Sequence, residues 1–175
     1  MLSVVIPVYN EGENLRVVYD RLVLVLQKLN VGYEVIFVND GSADNSLEVI
    51  KDLTESDALA KYVNLSRNFG HQIAVCAGLD FAKGDKVVII DADGQDPPET
   101  IEKLYLKSLE GFEVVYAKRK SRKGDSMFKK STAKWFYRIL QKLTKIDIPV
   151  DTGDFRIIDK KVVEQLRRMP ERQKF

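Results

Sequence analysis

The sequence predicts an α/β fold, a mostly parallel sheet flanked by helices that forms a single domain over residues 1–175. Three observations predict it. Apolar strand-like runs alternate with patterns of helical period as far as Arg119. The strand candidates are almost continuously apolar, which suits strands covered on both faces. The chain's 175 residues match one α/β domain, and no internal repeat or Pro/Gly linker divides them.

The elements follow in order. "SVVIPVY" is the first strand, an apolar, β-rich run. "NEGENLRVVYDRLVLVLQKLN" is a helix, because Leu15, Val18, Tyr19, Leu22, Leu26 and Leu29 recur at helical spacing. "YEVIFVND" is the second strand, and "GSADNSLEVIKDLTES" opens with cap-forming residues before continuing as a helix. "KYVNLS" is the third strand, and "GHQIAVCAGLDFAKG" is a short helix closed by Gly84. "KVVIID" is the fourth strand. "PPETIEKLYLKSLEG" is a helix with proline in its first turn and Gly111 at its stop. "FEVVYAKR" is the fifth strand. Beyond it the rhythm breaks: a basic stretch over 118–134 reads as a mobile loop, "WFYRILQKL" as a helix, "VDTGDFRIID" as a turn and short strand, and "KKVVEQLRRM" as a final helix.

Composition narrows the class without naming a partner. The chain is 45% apolar and 31% charged with a formal net charge of +2, an ordinary soluble balance. Its single cysteine, Cys76, excludes an internal disulfide and sits in an apolar stretch, as core filling would. No secretion signal opens the chain, and no apolar run approaches the roughly 20 residues that span a bilayer. The segment therefore reads as soluble and cytoplasmic. The lone histidine, His71, excludes a histidine metal cluster and reads as a loop residue within "NFGHQ".

The chemistry gathers where strands end. Val87–Ile90 is wholly apolar, yet Asp91, Asp93, Asp96 and Glu99 follow at once. The first strand ends at Asn10 and Glu11 and the second at Asp40, and open α/β sheets bind ligands beyond such carboxyl ends. If Asp91 and Asp93 remain extended, the two-residue period points both side chains one way. Unit charges about 6 Å apart then repel by roughly 2–3 kcal/mol at an effective dielectric near 20. A divalent cation removes that cost, and carboxylates with substrate phosphates are the usual Mg²⁺ or Mn²⁺ arrangement. Asp96 and Glu99 read instead as solvated acids leading into a helix. No G-x-x-x-x-G-K-[ST] and no G-x-G-x-x-G follows the first strand, which excludes a P-loop and argues against a dinucleotide fold. A cation held by Asp-x-Asp without a phosphate-cradling loop suits a diphosphate that must leave.

"VVIPVYNEGENL", "VIFVNDGSADNS", "NLSRNFGHQIAVCAGLDFAKGD", "IIDADGQDPPE" and "DTGDFRIID" occur in one order over nearly the whole chain. On these motifs the sequence resembles the family 2 glycosyltransferases with the GT-A (Rossmann-like) fold. Within them it looks most like the polyprenyl-phosphate glycosyltransferases related to dolichyl-phosphate mannose synthase. The resemblance implies inverting, metal-dependent transfer from a UDP- or GDP-sugar to a polyprenyl phosphate at the cytoplasmic face of the membrane. Pro7, Tyr9, Asn10 and Glu11 would line the nucleoside pocket, with Asp40 on the base or ribose and Gln72 near the nucleotide sugar. Asp91 and Asp93, with Ala92 between them, would bind Mg²⁺ or Mn²⁺ and the diphosphate, and Gln95 would add a ligand. Asp154 falls where the family often places a catalytic or orienting carboxylate, although the dolichyl-type pattern has Gly-Phe-Arg there; Asp151 is the fallback.

Arg156 could clamp phosphate, and Arg119, at the end of the fifth strand, is the other phosphate candidate. The basic segment reads as a lid over phosphates or a rest on anionic headgroups. Longer family members continue into membrane helices, so the chain is expected to be the catalytic part of an anchored protein. A homo-oligomer is compatible with the sequence. The alternatives are a family member acting on another glycan acceptor, a nucleotidyltransferase, a nucleotide-sugar binder without turnover, and a nucleic-acid module. Nucleic acid is disfavoured because Phe128 is the only aromatic within 118–134.

Overall fold

The computed structural model describes residues 1–118, 152–169 and 171. Within these residues the order is β1 (Leu2–Val8), α1 (Gly12–Lys28), β2 (Tyr33–Asn39), α2 (Ser46–Ser56), β3 (Ala60–Asn64), α3 (His71–Phe81), β4 (Lys86–Ile89), α4 (Thr100–Ser108), β5 (Val114–Lys118), β6 (Thr152–Asp159) and α5 (Lys160–Arg168). Met1–Tyr116 with Asp154–Phe175 form one compact unit and Ala117–Gly153 another. The core and the site described below belong to the first. The basic loop and the helix expected over 135–143 lie outside the described residues, apart from Lys118 at the end of β5.

The strands form one sheet in the order β3-β2-β1-β4-β6-β5. β1, β2, β3 and β4 are mutually parallel, and β6 runs antiparallel to β4. The α/β reading thus holds, with β6 as an antiparallel insertion. Every residue of β1 is buried, as is β2 after Tyr33. That two-sided cover is why both strands read as nearly continuous apolar runs, interrupted by Ser3 in β1 and Glu34 in β2. On one face Val5, Ile36, Val38, Val87 and Ile89 pack with Ala74, Val75 and Leu79 of α3 and Val163 of α5. On α1, Leu15, Val18, Tyr19, Leu22 and Leu26 form the buried stripe, and the Tyr19 ring lies 5.5 Å from Phe37 of β2. Burying each such side chain is worth about 1.5–3 kcal/mol. Gly78 lets α3 approach β1, because a Cβ there would lie 2.3 Å from Val5 Cγ1.

The topology positions the site. The chain builds β1, β2 and β3 outward in one direction and then crosses by α3 to set β4 on the other side of β1. Strand order therefore reverses between β1 and β4, and the crevice beyond their carboxyl ends is the place where open α/β sheets bind ligands. At the opposite edge, buried polar groups are fully paired. Ser3 donates to Glu34 Oε1 at 2.7 Å, the Lys83 amide donates to the same oxygen at 2.8 Å, and Lys61 Nζ reaches Oε2 at 2.9 Å. The Gly84 amide completes the set by donating to Ser3 Oγ at 2.8 Å.

Candidate active site

β4 stops at Ile89, short of the Asp91 expected from its apolar run. Asp91 and Asp93 are therefore placed by a turn rather than by an extended strand, and the two-residue alternation does not orient them. Gly94, at φ +71°, supplies the left-handed residue of that turn. Asp93 Oδ1 accepts the Gln95 amide at 2.9 Å, an Asx-type contact that fixes the turn from within. Ala92 is 2% exposed and anchors the turn between the two acids. Gln95 is exposed. Asp96 is only 4% exposed, which corrects the solvated reading, whereas Glu99 is exposed and paired with Arg21 at 2.8 Å.

β6 brings the second acid. Ile89 is in register with Arg156 on the antiparallel neighbour. Two residues past Ile89, beyond the end of β4, is Asp91, and two residues before Arg156 on β6 is Asp154. Both carboxylates come close to one side chain at the ligand-facing rim. His71 lies between them, its Nε2 3.1 Å from Asp154 Oδ2 and 3.7 Å from Asp91 Oδ1. Arg156, with its side chain 13% exposed, sets Nη2 3.9 Å from Asp154 Oδ1. His71 is the first residue of α3 and not a loop residue, a correction of its expected setting. The sequence reading paired it with neither acid; its place at a helix start after Gly70 was visible, but the strand register that delivers Asp154 was not.

The charges are mutually adjusted. Burial pushes the Asp91 carboxyl up, opposed by His71 and reinforced by the carboxylates of Asp154, Asp93 and Asp96. The hydrogen bond from His71 holds Asp154 below the usual carboxylate range against the effect of burial. The same bond raises His71, with burial opposing it and Asp91 assisting.

Two loops frame the rim. Asn10, at φ +56°, accepts the Ala43 amide on its side chain at 2.8 Å while its own amide donates to Ser42 Oγ at 3.0 Å. The Glu11 amide donates to Ser46 Oγ at 2.9 Å, and the Gly12 amide to Asp44 at 3.0 Å. A cleft of about 520 Å³ opens there, lined by Asn10–Asn14 and Ala43–Asn45; none of its lining residues belongs to the His71 cluster. Tyr9 is half exposed, while Pro7 is buried within β1. Asp40, 2% exposed, spends both oxygens on backbone, accepting the Phe69 amide at 2.7 Å and the Gly70 amide at 2.9 Å. Gly41 permits this approach, since it sits at φ +65° and a Cβ on it would lie 2.3 Å from the Arg67 carbonyl carbon. Gln72 is exposed on the first turn of α3. Asp151 and Arg119 lie outside the described residues.

The donor set fits a hard dication. Asp91 Oδ1 is buried with no hydrogen-bond partner, and the oxygens of Asp91, Asp93 and Gln95 are the ligand type that Mg²⁺ and Mn²⁺ take. Among the described residues no three His, Cys, Asp or Glu side chains converge as a complete metal cage. A dication here would complete its shell from substrate phosphates and water.

The model of the glycosyl transferase family 2 matches residues 3–167. Over 173 residues the chain is 50% identical to an uncharacterized glycosyltransferase, YkcC, of Bacillus subtilis, covering 99% of this chain and 54% of that protein. It is 42% identical to the bactoprenol glucosyl transferase of Shigella phage SfV, over 99% of this chain and 57% of that one. The chain thus spans about half the length of these relatives. Among solved structures it resembles the mannosyltransferase PcManGT of Pyrobaculum calidifontis in complex with GDP-Man and Mn²⁺, with TM-score 0.65 and 20% identity over 99% of this chain and 49% of that one. It also resembles glucosyl-3-phosphoglycerate synthase of Mycobacterium tuberculosis in complex with Mn²⁺, UDP and phosphoglyceric acid, with TM-score 0.66 and 20% identity over 93% and 56%. The sheet, the switch-point site and the family match agree: the chain belongs to glycosyl transferase family 2 and has the GT-A fold.

Proposed function

We propose that this chain is the catalytic domain of an inverting, metal-dependent glycosyltransferase that moves a sugar from a UDP- or GDP-sugar to a polyprenyl phosphate at the cytoplasmic face of the membrane. The observation that carries the reading is Asp91 Oδ1, buried at the switch point without a hydrogen bond, with His71 Nε2 3.7 Å away. Relatives named bactoprenol glucosyl transferase, at about 40% identity, support the acceptor class. Proteins of similar fold solved with UDP or GDP-Man and Mn²⁺ are consistent with the donor class. No described helix is long and apolar enough to cross a membrane.

Asp91 and Asp93, with the Gln95 amide oxygen, would hold Mg²⁺ or Mn²⁺, which supplies neutralisation of the charge building on the leaving diphosphate. Tyr9, Asn10 and Glu11 would border the nucleoside end of the donor. Asp40 and Pro7, both buried, would shape that end from beneath, and Gln72 would face the sugar. An oxygen of the acceptor phosphate attacks the anomeric carbon from the side opposite the diphosphate. The bond from that carbon to the β-phosphate oxygen breaks, and its electron pair leaves with the nucleoside diphosphate. A phosphate monoester is already largely dianionic at neutral pH, so no strong base is needed. That agrees with Asp154, which is held as an anion and would make a poor base. Its role is to orient the acceptor and to stabilise the positive charge that develops on the sugar ring. Arg156, beside it, would meet the acceptor phosphate.

The test is transfer from labelled UDP- and GDP-sugars to undecaprenyl phosphate by the protein expressed from its native gene, with Mn²⁺ or with EDTA. Product that requires both the lipid phosphate and the metal is expected. Elongation of a glycan without polyprenyl phosphate would move the activity to another acceptor, and turnover that is indifferent to EDTA would remove the cation.

A further inference from the structure

We propose that His71 is the positioning residue for Asp154, and that Asp40 sets His71 by clamping the turn before α3. The inference rests on the orienting role given to Asp154 above and adds the parts that hold that side chain in place. The chain of contacts is continuous. Asp40, at the end of β2, takes the amides of Phe69 and Gly70 on its two oxygens. Gly70, at φ +99°, turns the backbone into α3, whose first residue is His71. His71 Nε2 then meets Asp154 Oδ2 at 3.1 Å. The turn clamped by Asp40 after β2 is thus linked through the His71 imidazole to the start of β6, with Asp91, beyond β4, 3.7 Å from the same nitrogen.

The electrostatics give the imidazole its task. Asp91 and Asp154 lie 3.7 Å and 3.1 Å from the same His71 ring nitrogen, and two carboxylates so placed repel. Without a group between them Asp154 would be driven toward solvent, where it is already half exposed. His71 Nε2 lies 3.1 Å from one Asp154 oxygen and is the near partner that places the carboxylate, while Arg156 Nη2, 3.9 Å from the other, adds only charge attraction. Asp91 Oδ1, at 3.7 Å, is too far to accept the same hydrogen bond and stays open for a cation. His71 thus orients one acid without consuming the other.

The experiment is steady-state transfer by the native gene product carrying His71→Ala, His71→Gln, Asp154→Asn and the His71→Ala/Asp154→Asn pair, alongside titration of Mn²⁺-dependent UDP or GDP binding. His71→Ala is expected to lower kcat 10- to 100-fold and to change donor affinity less than 3-fold. His71→Gln, whose amide can donate at a similar place, should recover kcat to within about 5-fold of wild type. In the Asp154→Asn background His71→Ala should cost no more than about 2-fold, since the residue it positions is already lost. Multiplicative losses, no recovery with Gln, or a donor-affinity loss as large as the kcat loss would overturn the inference while leaving the glycosyl-transfer reading intact. Unchanged kcat in Asp154→Asn would remove the role given to Asp154, and the inference with it. Should His71→Ala fail to fold, His71→Gln with and without Asp154→Asn gives the same decision.

Discussion

The two ends of the central strands carry similar residue types and treat them oppositely. At the amino-terminal edge, buried Glu34 receives hydrogen bonds from Ser3, Lys61 and the Lys83 amide. Burial would raise its carboxyl, yet those bonds win and hold it below its ordinary value of 4.5. At the carboxyl-terminal rim, Asp91 keeps a buried oxygen without a hydrogen bond, and burial pushes its carboxyl up. One acid is finished by the protein and adds stability. The other is left incomplete, at a cost in stability that a ligand can offset. Polar burial serves the fold where it is paired within the chain and serves binding where it is not.

Removing the incomplete acid should have the largest effect on function and none against stability. Asp91→Asn is expected to lower metal-dependent turnover at least 100-fold while thermal stability stays level or rises by up to about 1 kcal/mol, since a disfavoured buried charge is gone. Parallel kinetics and thermal melts read both numbers, and a melt lowered by several degrees would erase the contrast between the two ends. Gly78→Ala, in the layer that supports both ends, forces a Cβ against Val5. It should cost about 1–3 kcal/mol and lower the denaturant midpoint, with turnover falling as α3 shifts.

Glu34→Gln should cost about 2 kcal/mol, because it breaks a paired network whose Lys61 partner is half exposed, and should leave turnover unchanged. The pH dependence has a definite sign. A carboxyl held low in the folded state contributes stability above pH 4.5, and that contribution is lost as pH falls through its folded value. Wild type should therefore lose stability below about pH 4.5 more steeply than Glu34→Gln, as acid-limb denaturant curves would show. The smallest effect belongs to a pair that is satisfied but solvated: Arg21→Ala, which removes the 2.8 Å contact to Glu99, should change stability by about 0–1 kcal/mol.

Much of this fold was legible because burial on both faces writes itself as a nearly continuous apolar run, and β1, β2 and β4 are such runs. The α1 stripe from Leu15 to Leu26 was legible for the same reason at helical period. Long-range pairing was not. Nothing local in "TGDFRIID" says that β6 inserts between β4 and β5, antiparallel to β4, and that insertion is what brings Asp154 to the rim where Asp91 and His71 lie. The exit of β4 was misjudged because Ile90 is apolar and buried yet already past the strand end. Asp96 read as solvated because a proline follows it, whereas packing encloses it. Asp40 was legible as a strand-end acid; that its two oxygens hold the Phe69–Gly70 turn depends on a loop 29 and 30 residues away.

The most direct test of the incomplete rim is calorimetric titration of UDP and GDP into wild type and Asp93→Asn, each with and without Mn²⁺. Tight binding that needs Mn²⁺ in wild type, and its loss in Asp93→Asn at unchanged melting temperature, is the expected result. Equal affinities in the two proteins would contradict the assignment of this rim to a dication and the donor diphosphate.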